Sequence, residues 1–259
     1  MSIRYGLIAA GEGSRLASEG VSVPKPLVKV GGEELIGRMI RIFQQNDAES
    51  VSVIVNDKMP EVYDYLMSLK TDVPLDIVVK STPSSLHSFG ELRAFFLEKP
   101  AQQDKNGHFC MMPYLRRGSS KFCLTTTDSV FNEKEFHNYI KYFTSDTFRD
   151  DALMGVTSYI DDEKPLYVRT DFGTLEVTGY ENQAYEGCKY ISGGIYCMNQ
   201  KALDLLPKAL ESGVERMRGF QRYMIEQGMK LQAYPFSKVI DIDHATDIAV
   251  AEEFLKTGK

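Results

Sequence analysis

The segment that decides the fold is IRYGLIAAGEGSRLASEGVSVPKPLVKVGG, residues 3–32. It opens with a short apolar run at residues 3–10 that runs directly into a glycine-rich stretch. Such a run is typical of a buried parallel strand that feeds a loop. The segment therefore predicts the first strand of an α/β sheet, with a glycine loop at its end.

Beyond this segment, strand and helix patterns alternate. Apolar residues at helical spacing predict helices at residues 33–45, 60–69 and 86–97, and short apolar runs predict strands at residues 51–55 and 76–79. Three strand–helix repeats indicate a parallel sheet with right-handed crossovers.

The second half changes pattern. Alternating, turn-separated segments at residues 166–171, 173–181 and 189–199 are typical of antiparallel strands. The remaining predicted strands lie at 122–126, 152–158, 230–234 and 239–243, and the remaining helices at 133–143, 200–210, 220–227 and 245–255. The expected fold is a three-layer, Rossmann-like α/β domain. It has a mostly parallel sheet, helices on both faces and an added antiparallel strand layer. Residues 1–259 are expected to form this single domain.

Residues 99–121 interrupt the alternation of predicted strands and helices. They are polar, contain Pro and Gly and show no regular spacing of apolar residues. We interpret them as an insertion loop. Three roles stay open: an active-site flap using Arg116 and Arg117, a subunit contact using the apolar residues near Met112, or a plain surface loop.

Composition excludes several function classes. The chain has 259 residues and a formal net charge of −6, so no global basic field favours a nucleic-acid partner. No apolar run approaches the roughly 18 residues of a membrane span. The four cysteines form no Cys-x-x-Cys pair, which favours free thiols. We expect a cytoplasmic protein without nucleic-acid or membrane partners, and homo-oligomerisation is left open.

The glycine loop contains Gly11 and Gly13 and is followed by Arg15. It does not fit the mononucleotide P-loop, and Leu16 stands where the dinucleotide fingerprint needs a small residue. A plain turn after the strand is the simplest alternative. Two features favour phosphate binding instead: the guanidinium of Arg15, and Lys25, which is fixed between two prolines.

These residues carry a family resemblance. The motif AAGEGSRL, followed by PKPL and a Gly-Gly turn, resembles the signature of the sugar-1-phosphate nucleotidylyltransferases, or NDP-sugar pyrophosphorylases, of the nucleotide-diphospho-sugar transferase superfamily. Cytidylyltransferases of that superfamily share it. The resemblance implies one ligand for both halves, the triphosphate of an NTP, with Arg15 and Lys25 as catalytic residues. The implied nucleotide-binding residues of the loop are Ala10, Gly11, Glu12, Gly13 and Ser14.

The resemblance also implies a magnesium cofactor. Asp128, which directly follows a predicted strand, is similar to the family's metal-binding aspartate, although it could instead cap the next helix. Asp241 and Asp243, in VIDIDHATDIAV, resemble the closing motif; Asp241 is the first candidate ligand and Asp243 the second. Asp247 is interpreted as a charge at the start of the last helix.

Two further segments match the family by position. Thr82, Ser84 and Ser85 lie where the family binds the nucleobase, but the usual Gly-Thr or Gln-x-Gly is absent, so the base is not predicted. Gly193 and Gly194 lie in a strand where the sugar approaches, with a simple β-bulge as the alternative.

The expected activity is Mg²⁺-dependent transfer of NMP from an NTP to a sugar-1-phosphate, with release of pyrophosphate. One alternative is a cytidylyltransferase for a phosphocholine-like acceptor, for which Tyr180, Tyr185 and Tyr190 could supply aromatic faces. Another is a catalytically silent regulator that binds nucleotide sugars.

Overall fold

A computed structural model describes residues 2–97, 121–160 and 163–258. The prediction of an insertion loop at residues 99–121 therefore lies outside the described residues, apart from Lys121. The elements before this gap are β1 (Ile3–Ala9), α1 (Ser14–Ser18), a 3₁₀ turn (Lys25–Leu27), β2 (Lys29–Val30), β3 (Glu33–Glu34), α2 (Leu35–Gln44), β4 (Ala48–Val55), α3 (Pro60–Ser68), β5 (Leu75–Val79) and α4 (Ser85–Phe96).

The elements after the gap complete the sheet. They are β6 (Phe122–Thr126), β7 (Ser129–Phe131), α5 (Glu133–Thr144), β8 (Ala152–Thr157), β9 (Tyr167–Thr170), β10 (Val177–Glu181), β11 (Tyr190–Met198), α6 (Gln200–Glu211), α7 (Met217–Glu226), β12 (Leu231–Phe236), β13 (Val239–Asp241) and α8 (Ala245–Thr257).

Among the described residues, nine strands form one mixed sheet. Strands β5, β4, β1 and β6 run parallel to one another, and β12 runs parallel to β8. Strand β11 lies antiparallel between β6 and β8, and it also pairs with the β9–β10 hairpin. The predicted fold class is confirmed. The antiparallel strands extend the main sheet rather than stacking on it as a separate layer.

Helices cover both faces of the sheet. Apolar side chains of α2, α3 and α5 pack on one face, and those of α4, α6 and α7 pack on the other. Strand β1 contributes to both, since Leu7 faces one cluster and Ile8 the other. This two-sided burial explains why β1 is apolar almost throughout.

A third, smaller core positions the site. Leu16 and Val28, from the two halves of the opening motif, pack with Ile240, Ile242 and residues of α8. Burial of these side chains holds the motif against the closing segment, more than 200 residues away in the chain.

No helix within the described ranges is both long enough and apolar enough to cross a membrane.

Candidate active site

A cleft of about 730 Å³ opens where β1 and β6 end. Ligands of open α/β sheets bind at this edge, beyond the carboxyl ends of the strands. The cleft brings together nearly all of the predicted site residues: Ala10, Gly11, Glu12, Gly13, Ser14, Arg15, Lys25, Thr82, Ser84, Ser85, Asp128, Gly194, Asp241 and Asp243. Gly193 instead lines a smaller neighbouring cavity.

The glycine loop packs directly against the lysine. Gly13 has a φ of 62°, a left-handed conformation that favours glycine. A Cβ atom at Gly13 would lie 2.8 Å from the Cβ of Lys25, which is closer than carbon atoms pack. The two halves of the motif can therefore meet only because residue 13 has no side chain.

Lys25 starts the 3₁₀ turn, and its amine lies between two carboxylates. Its Nζ donates to Oδ2 of Asp128 at 2.5 Å and to Oδ1 of Asp243 at 2.7 Å. A guanidinium nitrogen of Arg15 lies 3.0 Å from Oδ2 of Asp243. Both cations of the motif thus converge on the two acidic segments that the sequence predicts for the site.

Strand pairing brings those acidic segments together. Strand β13 pairs antiparallel with β7, which places Asp241 opposite Ser129. The backbone N–H of Ile242 donates to the carbonyl of Asp128 at 3.0 Å. The alternative role of Asp128 as a helix cap is wrong, because Asn132 caps α5.

The closing segment is also fixed to the opening motif by polar contacts. Glu19 accepts a hydrogen bond from the backbone N–H of Ala245 at 2.7 Å, and its other carboxylate oxygen lies 2.5 Å from Nδ1 of His244. Asp247 accepts from the backbone N–H groups of Asp243 and His244 at the start of α8. This agrees with its interpretation as a helix N-terminal charge.

The two strand-end carboxylates differ in their electrostatics. Burial disfavours charge on Asp128, but the charge and hydrogen bond of Lys25 outweigh it, so the pKa of Asp128 lies below its usual value. Burial and then the nearby Asp128 carboxylate raise the pKa of Asp241 to about 7. The carboxylates of Asp128 and Asp243 outweigh burial at Lys25 and raise the pKa of its amine.

The different surroundings of these carboxylates bear on which of them could bind the predicted magnesium ion. Among the described residues, no group of three or more His, Cys, Asp or Glu side chains is arranged as a metal site. Two carboxylates nevertheless fit a divalent cation that is completed by ligand oxygens, because Asp241 is close to Asp128 and has no ion pair with a described residue. Asp243 fits less well, since Lys25 and Arg15 engage both of its oxygens.

The segment predicted to face the nucleobase is tied to the glycine loop through Asn56. The amide of Asn56 donates to the carbonyl of Ala10 at 3.0 Å, and its Oδ1 accepts from Oγ of Ser81 at 2.8 Å. The hydroxyls of Thr82 and Ser88 lie 2.6 Å apart. The sequence does not single out Asn56, whose position directly after β4 would have been the available signal.

The two glycines of β11 have structural roles of their own. The pairing of β11 with β8 shifts register between Ser192 and Tyr196, so the bulge alternative is present. Gly194 has a φ of 70°, and a Cβ there would lie 2.9 Å from Oγ of Ser129. A Cβ at Gly193 would face Val239 rather than the main cleft.

One wall of the cleft was not predicted from the sequence. Arg216, Arg218 and Gln221, at the start of α7, line the cleft together with Tyr196 of β11. The predicted helix began at residue 220, whereas α7 begins at Met217. The basic pattern Arg-Met-Arg just before the predicted start is the signal that could have indicated this wall.

The tyrosines proposed for a quaternary-ammonium acceptor do not line the main cleft. Tyr180 is buried in the core, and the guanidinium of Arg169 lies 4.0 Å from the ring centroid of Tyr185. Nζ of Lys189 lies 5.0 Å from the ring centroid of Tyr190. The expectation that these rings could surround a cationic acceptor is wrong.

Comparisons with known proteins agree with this architecture. Residues 6–104 match the family model described as the MobA-like NTP transferase domain. The chain is 28% identical over 205 residues to Bifunctional protein GlmU of Clostridium tetani, a match that covers 76% of this chain and 38% of that protein. It is 24% identical over 212 residues to a Bacillus subtilis protein named "Probable glucose-1-phosphate cytidylyltransferase", covering 78% of this chain and 77% of the relative.

Solved structures share the fold across almost the whole chain. The inositol-1-phosphate CTP transferase from T. maritima superposes with a TM-score of 0.73 at 19% identity, covering 99% of this chain and 97% of that one. HddC from Yersinia pseudotuberculosis gives a TM-score of 0.68 at 16% identity, covering 98% and 99%.

The chain shares the fold of the inositol-1-phosphate CTP transferase, and residues 6–104 match the MobA-like NTP transferase domain family. The resemblance drawn from the opening motif is confirmed.

Proposed function

We propose that the protein transfers a nucleoside monophosphate from an NTP to a sugar-1-phosphate or a similar phosphorylated alcohol. The observation that carries this proposal is the convergence of Lys25 and Arg15 on Asp128 and Asp243, beside the glycine loop. Cations placed next to a loop of free backbone N–H groups suit a triphosphate.

The reaction needs no general base. An oxygen of the acceptor phosphate, already an anion, forms a bond to the α-phosphorus of the NTP. The bond from the α-phosphorus to the oxygen bridging the β-phosphate breaks, and pyrophosphate leaves with that electron pair. The catalytic task is to align two mutually repelling anions and to stabilise charge as the bonds exchange.

The chain's own residues divide this task. Lys25 contacts the α-phosphoryl group, and Arg15 contacts the departing pyrophosphate. Backbone N–H groups of residues 11–14 hold the remaining phosphate oxygens. Thr82, Ser84 and Ser85 face the nucleobase, and Gly194 lies beneath the acceptor.

Asp128 and Asp241 are the proposed ligands of a magnesium ion. When bound, such an ion neutralises charge on both reactants. Asp243 serves instead to hold Arg15 and Lys25 in place, since its two oxygens already contact them.

A pyrophosphate-release screen tests the proposal. The chain is incubated with each of the four NTPs and with glucose-1-phosphate, myo-inositol-1-phosphate or phosphocholine, with and without Mg²⁺. CTP is the first donor to try, since two of the relatives are named for cytidylyl or CTP transfer. We expect pyrophosphate only when an NTP, a phosphorylated acceptor and Mg²⁺ are all present. Nucleotide-sugar binding without turnover for any pair would support the silent regulator instead.

A further inference from the structure

The cations that line the cleft fall into two groups. The first, which we call the glycine-loop wall, comprises residues 10–15 with Lys25 and Lys58. Each of its cations has a carboxylate partner: Asp243 for Arg15, Asp128 and Asp243 for Lys25, and Glu12 for Lys58.

The second group, the α7 wall, comprises Arg216, Arg218 and Gln221. Neither arginine forms an ion pair with any described residue, although both line the cleft. Arg218 is held by a hydrogen bond from its guanidinium to the carbonyl of Lys164 at 3.2 Å. The start of α7 is held by the backbone N–H of Met217, which donates to Oγ of Ser85 at 3.1 Å. Two cations that line the cleft and form no ion pair with the described part of the chain suit an anionic ligand.

A buried polar network lies beside these arginines. Gln221 is 1% exposed and Tyr196 is 6% exposed, yet both line the cleft. Oγ of Ser192 donates to Oε1 of Gln221 at 3.3 Å, and the amide of Gln221 donates to the Tyr196 hydroxyl at 3.5 Å. These hydrogen bonds are long, so the three side chains retain capacity for ligand hydroxyl groups.

We propose that the α7 wall binds the acceptor. Arg216 and Arg218 contact an anionic group of it, while Ser192, Tyr196 and Gln221 bind its hydroxyl groups. The acceptor class is then a hydroxyl-rich anion, such as a sugar phosphate or polyol phosphate, and not a quaternary-ammonium phosphate ester. This inference rests on the proposed function, because it assigns the second substrate of that reaction.

Charge argues against a phosphocholine-like acceptor at this wall. Its ammonium group would approach two guanidinium groups that no described carboxylate neutralises. Of the described aromatic side chains, Tyr196 alone lines the cleft, so Tyr180, Tyr185 and Tyr190 supply no aromatic cage there.

The test measures binding, so it does not depend on turnover. Glucose-1-phosphate and myo-inositol-1-phosphate are titrated calorimetrically into the full chain, saturated with the α,β-methylene analogue of the NTP that binds most tightly. We expect Arg216→Ala and Arg218→Ala each to weaken binding of the better probe about tenfold, the loss typical of one charge-assisted hydrogen bond. Affinity for the NTP analogue is expected to stay unchanged.

Arg222→Ala is the matched control. Arg222 lies one turn after Arg218 on α7, but its guanidinium donates to the carbonyl of Tyr180 and to Oδ1 of Asn182, away from the cleft. It is expected to leave binding of the probe unchanged. Arg218→Lys keeps the charge and is expected to retain part of the affinity, which separates charge from simple packing.

Three results would overturn the inference. The first is phosphocholine binding more tightly than both hydroxyl-rich probes. The second is weaker NTP-analogue binding, with probe binding unchanged, in Arg218→Ala. The third is no binding of either probe to the wild-type chain. Absence of pyrophosphate release despite normal probe binding would instead contradict the proposed function and leave the α7 wall supported.

Discussion

The glycine-loop wall and the α7 wall both present cations to one cleft, but in different electrostatic states. On the glycine-loop wall, Lys25 is 13% exposed and held by two carboxylates. On the α7 wall, Arg216 and Arg218 have no acidic partner among the described residues. A cation with a carboxylate partner is held in the defined geometry that catalysis requires. A cation without such a partner attracts an anionic ligand. Changes at Arg15 and Lys25 on the first wall should therefore reduce kcat, and changes at Arg216 and Arg218 on the second should raise the KM of the acceptor.

The largest effect is expected from removing charge at Asp128. Asp128→Asn should lower the rate of Mg²⁺-dependent pyrophosphate release by about 10³-fold or more, because a carboxylate proposed to hold the metal becomes neutral. NTP binding without metal, measured by calorimetry, should persist. If Asp128→Asn and Asp241→Asn both keep the wild-type rate at ordinary Mg²⁺, the reaction takes place elsewhere.

The next effect concerns the lysine of the glycine-loop wall. Lys25→Ala should cut kcat by about 10²–10³, the loss typical of removing one preorganised charge-stabilising group. Lys58→Ala is the control, because Lys58 lies on the same wall but is exposed and paired with Glu12. It should change kcat little. A melting temperature close to wild type would show that Lys25→Ala remains folded, and near wild-type turnover in that variant would contradict the assignment.

The contrast between the walls also explains what the sequence could predict. The strand, the glycine loop and Lys25 lie within one short segment, so spacing alone indicates a shared site. Asp128 and Asp241 are recognisable because each lies at the end of an apolar strand. These signals are local, and the structure brings all of these residues to one cleft.

The α7 wall has no such local signal. Arg216 and Arg218 reach the cleft because Met217 bonds to Ser85, a contact between residues 132 positions apart. The pairing of Lys25 with Asp243 likewise depends on how β13 packs against β7. The tyrosine expectation failed for the same reason, since composition could not show that Arg169 already covers the ring of Tyr185.

A smaller effect is expected on the pH dependence of folding stability, in which Asp241 and Asp128 should differ. The pKa of Asp241 is raised to about 7 in the folded chain, so between about pH 4, its unfolded value, and pH 7 the folded state binds more protons. Asp241 therefore makes the metal-free protein less stable as pH rises through that window. Asp241→Asn, which resembles the protonated acid, should be more stable than wild type at pH 8 and similar to it near pH 4.

The ionisation of Asp128 changes folding stability with pH in the opposite direction. Its pKa is lowered, so it contributes stability above about pH 4 that is lost as the pH falls. Asp128→Asn should be less stable than wild type at pH 8. Urea unfolding in the presence of a chelator measures both differences, and equal pH dependence in the two variants would contradict the assigned electrostatics.

The smallest effect is expected at Gly194, which lines the same cleft as the two walls. Gly194→Ala should lower the free energy of unfolding by about 1–2 kcal/mol, because residue 194 has a left-handed backbone and a Cβ would press on Ser129. Gly179→Ala is the control, since a Cβ there would lie 3.8 Å from its nearest neighbour. Urea denaturation of both variants checks the prediction, and equal losses would show that the conformation of Gly194 is not the cause.

Both halves of the opening motif are proposed to act on one triphosphate and to direct attack at its α-phosphorus. The most direct measurement follows an NTP labelled at the α-phosphorus, together with glucose-1-phosphate or myo-inositol-1-phosphate and Mg²⁺. We expect the label in a nucleoside diphosphate ester of the acceptor, with one pyrophosphate formed per product. Lys25→Ala is expected to reduce this transfer to about 1% of the wild-type rate or less. Release of inorganic phosphate with the label left in a nucleoside diphosphate would contradict it.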